Sequence, residues 1–599
     1  MHTATGRATA ICIAATSLVT AADDTTPTDN VVVTATRTPL SAHRVIAPID
    51  VIDAETIERS MATELSELLR FQSGMDIVRV GGPGQQTSVF TRGTNSNHTL
   101  VLIDGVRINT GTLGLSALQN ITPSMIERVE IVKSPRTTLY GENAIGGVIN
   151  VITAQPDGPD LGILAGAGQD STQKYGLSGS TTAGGFSVGG HAQYLNTDGY
   201  PIVEGAQFDS GWENTTIEGR AGYQANRWGL EGRVWNSEGT TEYVSFPLDP
   251  ASQDYKNRIV AITGRAKFTQ DWDSAVDLSF TTDDLQQQQS TGFAKTERTI
   301  LDWQNTIQIG RDNTLVAGAF LSNEEVTGES FGFPLTAEDT DTMAIFVEDN
   351  MAFGRNAIVL AGRYSDHDAI GKDFTWNIEY GFDLTPDMRL TGGAGRAVRA
   401  PSASERFGAF GGNPNLNEEE SLTVQGGWQW AFAENQDVTV DLFFTKIDNL
   451  IASDANFMLQ NIDKAEITGI EAGYSFVAPV WSFRATGILQ NPENRANDTT
   501  LLRRAEESAS FSLVRNIGRH QVGADLKLVG SRKDFGDQNL AGYGLTNLTG
   551  RFAFSDQWGI YGRIENLFDR DYTAAYYDFG VRYLSPGRGA YLELRYKLN

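Results

Sequence analysis

Three patterns in the sequence have residue types that could carry out chemistry, and none has the setting that catalysis requires. Residues 185–189, GFSVG, have the spacing of a nucleophile elbow, but Ser187 lies within an alternating, strand-like run rather than at a strand-to-helix turn. The Gly-rich residues 81–86 are not followed by the Lys and Ser or Thr of a phosphate-binding loop. The six histidines lack metal-ligand spacing. We therefore expect no enzymatic activity.

Residues 29–37, DNVVVTATR, have the composition of an extended strand that is available to a partner. Their Val and Thr residues are branched at Cβ and favour an extended backbone. The flanking segments are polar and contain proline, so they provide no apolar surface for packing. A tethered strand of this kind can add to the edge of another protein's sheet through main-chain hydrogen bonds. The alternative is an ordinary first strand of the folded domain.

Composition excludes several classes of protein. At 599 residues the chain exceeds one globular core, so at least two domains are expected. Its 63 Gly and 10% aromatic residues describe a chain that is neither disordered nor uniformly apolar. The net charge of -27 argues against a nucleic-acid surface, which requires basic residues against phosphates.

The N-terminal residues 1–22 have the pattern of a secretory signal peptide, with a basic start, an apolar stretch and small residues at its end. The only cysteine, Cys12, lies within this stretch. No later apolar run reaches the roughly 18 residues of a membrane-spanning helix. An exported chain without such a helix is soluble or crosses a membrane as a β-barrel.

Residues 45–157 mix helical and strand periodicities and predict a small α+β domain. Residues 46–52, 98–105 and 126–135 have strand patterns. Residues 63–70 predict a short helix with Thr63 as its N-cap. Gly146 and Gly147, directly before a β-branched run, indicate a close approach of two backbones.

Residues 158–599 repeat a strict two-residue alternation. In residues 228–235, WGLEGRVW, one face carries Trp228 and Leu230 and the other carries Glu231 and Arg233. This alternation suits strands with one face to lipid and one to a lumen. A soluble antiparallel sheet also alternates, but it needs a second apolar layer, and no helical layer is predicted here. Roughly 440 residues at about 20 per strand predict about 22 strands.

A barrel of about 22 strands is wide enough to require a plug. We therefore predict a transmembrane β-barrel of about 22 antiparallel strands with the α+β domain of residues 45–157 inside its lumen. Residues 23–44 then form a periplasmic tail that carries the extended segment.

Several longer motifs strengthen this interpretation, and together they resemble the TonB-dependent outer-membrane receptor family. They occur in the family's order at residues 91–95 (TRGTN), 100–109 (LVLIDGVRIN), 126–153, 399–408 (RAPSASERFG), 412–421 and 564–572 (IENLFDRDY). The resemblance covers nearly the whole mature chain. It implies that the tail segment is a TonB box, formed by Asp29, Val31, Val32, Val33, Thr34, Ala35 and Thr36, and that TonB pulls on it with energy from the inner-membrane proton gradient.

Within the family the chain most resembles the receptors for cobalamin (vitamin B12), through the plug stretch at residues 81–109 and through LLRRA at residues 501–505. The resemblance implies ligand contacts at Gln86, Ser88, Asn95, Leu113, Gly114, Arg503 and Arg504. If Arg503 and Arg504 lie in a strand, only one of them faces the lumen.

Cobalamin receptors also bind calcium through early extracellular loops. The resemblance places calcium ligands at Asp198, Gln207 and Asp209, with Glu204 nearby. Pro201 and Gly211 stand where further acidic ligands would fall, so the set is short of the 6 to 8 oxygens that calcium prefers.

The sequence thus predicts a monomeric receptor in the lipid of the bacterial outer membrane that imports cobalamin or a related corrinoid. A receptor for ferric siderophores or another large scarce ligand is the alternative within the family. A passive porin or adhesin barrel and a secreted β-rich enzyme are the alternatives outside it.

Overall fold

The computed structural model describes residues 32–33, 37, 40–41, 45–335, 339–453 and 458–598. The predicted signal peptide and the TonB-box residues Asp29, Val31, Thr34, Ala35 and Thr36 lie outside this range. Within the described part, no helix is both long and apolar enough to cross a membrane.

The tail contributes two short strands, β1 (Val32–Val33) and β2 (Leu40–Ser41), which pair antiparallel. The next domain, which we call the plug, contains β3 (Ile49–Ile52), α1 (Ala54–Ser60), α2 (Leu65–Leu69), β4 (Met75–Arg79), β5 (Thr87–Thr91), β6 (Thr99–Ile103), β7 (Val106–Arg107), β8 (Ile126–Val132), α3 (Thr137–Tyr140) and β9 (Gly147–Thr153), with 3-10 turns at Ser96–His98, Leu118–Asn120 and Pro123–Met125. Its sheet has the order β3-β8-β9-β6-β7, and β4 and β5 form a separate hairpin.

The plug core lies between its helices and this sheet. Leu65 and Leu69 of α2 are fully buried with Val129, Ile149 and Val151 of the sheet. Gly147 has φ +141, and a Cβ at this position would collide with the carbonyl oxygen of Val132. The close backbone approach predicted there is therefore present.

The predicted N-cap of α2 is wrong. The helix begins at Leu65 with Glu64 as N-cap, and neither Glu64 nor Thr63 caps it through a side chain. The Glu64 carboxylate instead accepts the Gly84 N–H at 2.8 Å and pairs with Arg79 at 3.2 Å. This tertiary contact outweighs the local capping preference of Thr63.

The rest of the chain forms one closed barrel. Its strands are β10 (Asp160–Gly168), β11 (Gln173–Ala183), β12 (Phe186–Tyr200), β13 (Ser210–Gln224), β14 (Trp228–Ser245), β15 (Asp249–Lys267), β16 (Trp272–Gln287), β17 (Phe293–Ile309), β18 (Asn313–Ser330), β19 (Phe333–Leu335), β20 (Thr340–Phe353), β21 (Asn356–His367), β22 (Gly371–Thr385), β23 (Met388–Arg399), β24 (Glu419–Ala433), β25 (Gln436–Ser453), β26 (Leu459–Val477), β27 (Trp481–Asn494), β28 (Thr499–Thr500), β29 (Glu507–Ile517), β30 (His520–Val529), β33 (Tyr543–Ala553), β34 (Trp558–Glu565) and β37 (Gly589–Leu598). The connections add α4 (Ala403–Phe407), β31 (Arg532–Lys533), β32 (Asn539–Leu540), a 3-10 turn at Phe535–Asp537, β35 (Tyr576–Asp578) and β36 (Val581–Arg582).

The first and last strands close the barrel, with Leu161 opposite Leu598 and Gly168 opposite Tyr591. Apart from the short returns β19 and β28, 22 strands span the wall, so the predicted fold and strand number are confirmed. The predicted faces are also present. Leu592 is 58% exposed on the outer wall, whereas Glu593 is buried in the lumen and pairs with Lys174.

The two ends of the barrel differ. At the inner end, where the plug joins β10, the turns are short and the outer wall carries aromatic clusters such as Phe268 with Trp272. Rings at this level are typical of the girdle at a membrane interface. At the opposite end, which we call the mouth, several connections are long, including residues 400–418 and 566–588.

Ion pairs hold the plug against the lumen wall. Glu471 pairs with Arg92 at 2.9 Å and also with Lys133. Further pairs join Arg136 to Glu379, Arg59 to Asp525 and Asp104 to Arg220, at 2.7, 2.8 and 2.7 Å. All are largely buried, so removal of one partner would leave a costly unpaired charge.

Candidate functional site

The plug presents a hairpin turn, residues 80–86, towards the mouth of the barrel. Gln86 is exposed at this turn, and its carbonyl oxygen accepts the Val80 N–H at 3.1 Å. Ser88 follows in β5, half-buried opposite Val78. These two predicted ligand contacts therefore lie on the surface that a ligand entering from outside would meet.

Glycine at position 84 allows the barrel wall to hold this turn. Gly84 has φ +73, and a Cβ there would overlap the Trp212 ring. The Gln85 side chain donates to the carbonyl oxygen of Glu242 in the neighbouring strand. The Glu64 carboxylate, which accepts the Gly84 N–H, lies beneath the turn. Burial raises the pKa of Glu64, and the positive charge of Arg79 opposes this rise. The Gly-rich run thus provides close packing against the barrel.

The third predicted contact, Asn95, is joined to Arg504. The Arg504 guanidinium donates to the Asn95 side-chain oxygen and to the Gly93 carbonyl oxygen, and it lies over the Phe90 ring at 4.1 Å. Burial lowers the pKa of Arg504 to about 9. Arg504 therefore connects residues 495–506 of the mouth directly to the plug.

Arg503 connects the mouth loops to one another. Its Nε donates to Asp534 Oδ1 at 2.7 Å, and Asp534 also accepts the backbone N–H of Phe535 at 2.9 Å and of Tyr576 at 2.7 Å. Asp534 is buried, with 1% of its surface exposed. Three long connections, residues 495–506, 530–542 and 566–588, meet at this carboxylate. Sequence reasoning did not single out Asp534, because nothing local marks its role.

The assumption that Arg503 and Arg504 lie in a strand is wrong. Both lie in the connection between β28 and β29, and Arg503 has a left-handed φ of +67. Strand alternation therefore does not apply, and both side chains are engaged, one by the loops and the other by the plug.

The second apical loop of the plug carries Leu113 and Gly114. Leu113 is 48% exposed, and the Gly114 carbonyl oxygen accepts from the Asn109 side chain at 2.9 Å. The first N–H groups of α4, from Ala403 and Ser404, donate to the Gly111 and Thr112 carbonyl oxygens at 3.0 Å each. A mouth loop therefore fixes the position of this apical loop.

A buried polar chain links Asn95 to the same mouth loop. His98 accepts the Asn95 N–H on Nδ1 at 3.2 Å, and its Nε2 lies 2.7 Å from Glu419. Glu419 pairs with Arg399, which makes two hydrogen bonds to Glu405 of α4 at 2.8 and 2.9 Å. Burial lowers the pKa of His98 against the opposing effect of Glu419, and repulsion from Arg399 adds to the lowering.

The predicted calcium ligands lie around residues 201–209. Asp198, Gln207 and Asp209 are exposed, and the Gln207 side chain bonds within its own turn, to the Gly205 carbonyl oxygen. Glu204 is paired with Arg582 at 3.2 Å. In the described part of the chain, no three His, Cys, Asp or Glu side chains are grouped as a metal site requires. The side chains as placed do not fit a calcium ion, and calcium binding stays a prediction.

Apolar packing orders this loop instead. Ile202 and Val203 are fully buried against residues that include Val244, Tyr577 and Tyr583. Main-chain hydrogen bonds join Leu584 to Ile202 and Glu204 to Arg582 at 2.9 and 3.0 Å.

Arg37, the residue directly after the predicted TonB box, is bonded to the barrel. Arg37 makes two hydrogen bonds to Asp302 of β17, at 2.9 and 2.7 Å. Its guanidinium lies 4.8 Å from the Tyr140 ring of the plug and 4.7 Å from the Phe346 ring of the barrel. The Arg37 carbonyl oxygen accepts from Gln304 at 3.0 Å. One residue of the tail therefore contacts both domains.

Comparison with known proteins agrees with this geometry. Residues 153–567 match the family model described as TonB dependent receptor-like, beta-barrel, and residues 41–148 match the TonB-dependent Receptor Plug Domain. The chain is 30% identical over 587 residues to the vitamin B12 transporter BtuB of Photobacterium profundum, covering 93% of this chain and 94% of that protein.

Solved structures share the fold at lower identity. A mutant of the ferric enterobactin receptor PfeA of Pseudomonas aeruginosa, in complex with enterobactin, has a TM-score of 0.79 at 17% identity, covering 93% of this chain and all of that one. The siderophore receptor PiuA of Acinetobacter baumannii has a TM-score of 0.80 at 15% identity, covering 94% and 98%.

Proposed function

Because this chain belongs to the TonB-dependent receptor family, we propose that it imports cobalamin or a closely related corrinoid across the bacterial outer membrane. The observation that carries the choice of ligand is the 30% identity to a vitamin B12 transporter over nearly the full length of both chains. The siderophore receptors are too distant in sequence to argue for more than the fold.

The chemistry of the plug surface supports this ligand. Gln86, Ser88 and Asn95 offer short, uncharged polar groups, and Leu113 adds an apolar contact. Such a set suits a large molecule with many amide groups and an apolar ring. The net charge of -27 also favours cyanocobalamin, which is uncharged overall, over ferric enterobactin, which is a polyanion.

The proposed transport mechanism uses the contacts that join the plug to the mouth loops and to the tail. Ligand that contacts Asn95 also perturbs Arg504 and His98, and through them the mouth loops. On the inner side, the tail residue Arg37 contacts the plug at Tyr140 and the barrel at Asp302. TonB adds a strand to residues 31–36 and pulls, which extracts Arg37 and draws on the plug. The resulting displacement opens a path along the lumen wall.

Equilibrium binding to the detergent-purified protein tests the ligand. We expect cyanocobalamin to bind and excess ferric enterobactin to leave it bound. The assay is repeated with a calcium chelator, and unchanged binding is expected because apolar packing orders residues 201–209. Displacement by ferric enterobactin would instead support the siderophore alternative, and no binding of cyanocobalamin under either condition would contradict the proposal.

A further inference from the structure

Three phenylalanine rings that are not among the plug contacts described above are exposed at the mouth. Phe331, Phe333 and Phe410 are 84%, 58% and 67% exposed. Phe410 meets the other two edge to face, with ring centroids 5.6 and 6.4 Å apart. We call these rings the phenylalanine cluster. Exposed apolar groups gathered in one patch are typical of binding surfaces.

The backbone holds the Phe410 side of this cluster in place. The Gly411 carbonyl oxygen accepts the Leu459 N–H at 2.8 Å, and the Asn413 side chain donates to the Leu459 carbonyl oxygen at 2.9 Å. Phe410 is therefore presented by a loop anchored to β26. A ring held in this way loses little conformational freedom when it binds a ligand.

The loop of residues 400–418, which contains Phe410, also binds the second apical loop of the plug. Its helix α4 donates hydrogen bonds to the carbonyl oxygens of Gly111 and Thr112, next to the exposed Leu113. The Thr112 hydroxyl also contacts Thr296 on β17 at 3.1 Å. Since Phe331 and Phe333 follow β18, the cluster and Leu113 lie on the same side of the mouth.

The opposite side of the mouth is covered. Residues 566–588 place Ala574 and Ala575 against Val78 and Phe90 of the plug hairpin. Around the side that carries the cluster, several connections are short, at residues 246–248, 288–292 and 368–370. A large ligand therefore reaches the plug most easily past the phenylalanine cluster.

We propose that Phe331, Phe333 and Phe410 form an outer contact site for a flat, apolar part of the transported ligand. The inference rests on the proposed function, and it adds residues and a ligand property that the plug contacts do not supply. A partner protein is less suited to the site. Three partly exposed rings of roughly 150–250 Å² each provide less than the about 800 Å² that a standard interface takes from each protein.

Binding of cyanocobalamin to the detergent-purified full chain tests the site, with ferric enterobactin as second probe. The test variant is Phe331→Ser with Phe410→Ser. Its matched control, Phe246→Ser with Phe568→Ser, removes two other rings that are 77% and 75% exposed at the mouth. We expect the test variant to bind about tenfold more weakly and the control to bind like wild type. The variant Phe331→Tyr with Phe410→Tyr keeps the rings and should retain affinity.

The outcomes separate the two claims. If wild type binds cyanocobalamin and the serine variant binds it within about twofold of wild type, the outer site is wrong and the proposed function stands. An equal loss in the control would also overturn the site. If wild type binds ferric enterobactin but not cyanocobalamin, the proposed function is wrong, and the outer site is then judged by the same comparison of variants with ferric enterobactin. If wild type binds neither probe, the proposed function and the outer site both fail.

Discussion

Asp534 shows how much a single residue can determine at the mouth of this barrel. Its carboxylate is buried and accepts from Arg503 and from two backbone N–H groups, so three connections depend on it. Loss of a buried charged acceptor typically costs about 3–5 kcal/mol, because its donors are left unpaired.

We therefore expect Asp534→Ala to release residues 566–588 from the plug. Hydrogen exchange at Tyr576, whose N–H the carboxylate accepts, should accelerate, and ligand affinity should fall. Asp537→Asn, at an exposed carboxylate in the same connection whose left-handed φ of +58 asparagine tolerates, is the control and should leave both unchanged. Unaltered exchange in Asp534→Ala would show that the carboxylate does not hold the loops.

His98 gives the molecule a predictable response to pH. Burial and the nearby Arg399 lower the pKa of His98 in the folded protein below its ordinary value of 6.5. As pH falls, the unfolded chain therefore binds the proton first, and the folded state loses stability from about pH 6.5 downward.

The variant His98→Gln tests whether His98 makes the folded state less stable as the pH falls. It loses the contact with Glu419, so it should unfold at a lower temperature than wild type near pH 8. Because it lacks the titrating group, the gap between the two unfolding temperatures should narrow as the pH is lowered to about 5. A gap that widens over this range would contradict a lowered pKa.

At the scale of elements, the Arg37–Asp302 pair joins the tail to the barrel wall in the described part of the chain. Both members of the Arg37–Asp302 pair are mostly buried, with side-chain exposures of 10% and 18%. We expect Asp302→Ala to weaken the docking of the tail by about 3 kcal/mol. Protease cleavage or a spin label next to Arg37 should report a freer tail. Glu297→Gln on the same strand, whose side chain is 48% exposed, is the control. A tail that stays equally protected in Asp302→Ala would exclude this pair as the anchor.

A separate prediction concerns the extended segment before Arg37, to which TonB is proposed to add a strand. Val33 pairs with Leu40 in the short antiparallel ladder β1–β2. Proline at this position removes a main-chain donor that strand addition requires. Val33→Pro should therefore abolish uptake and leave ligand binding intact. Thr28→Pro, just before the box in a segment that already contains Pro27, should transport normally. Uptake that persists in Val33→Pro would mean that TonB engages another segment.

Among the elements, the strands of the barrel wall could be predicted from the sequence, but the contacts between the mouth loops could not. The wall strands were predictable because a two-residue period repeats within each strand, as Trp228 and Leu230 against Glu231 show. Their number followed from length alone. The partners of Asp534 lie 31 and 42 residues away in other loops. Such pairings depend on how the barrel closes, and no local pattern records them.

The resemblance to the receptor family pointed to the positions of candidate site residues, but it did not show which residues they contact. It marked Arg503 and Arg504, yet the structure was needed to show that one holds loops together and the other holds a loop to the plug. The sequence assigned no role to Gly84 in the turn at residues 81–86, and its packing against Trp212 became visible only with the barrel wall in place.

The whole molecule is a closed wall, a plug held by buried ion pairs, and a tail that touches both. A passive pore would have no use for such a plug, because the domain fills the lumen that solutes would cross. In the function that we propose, energy supplied from the inner side displaces the plug, and the tail is the part that receives this energy.

Uptake of radiolabelled cyanocobalamin is the most direct test of this account. The chain is expressed in cells that lack their own cobalamin receptor, either with or without a functional TonB. We predict accumulation only when TonB is present, and its loss when the proton gradient is collapsed. Accumulation that is equal without TonB, or none in either strain although the protein is present in the outer membrane, would contradict the account.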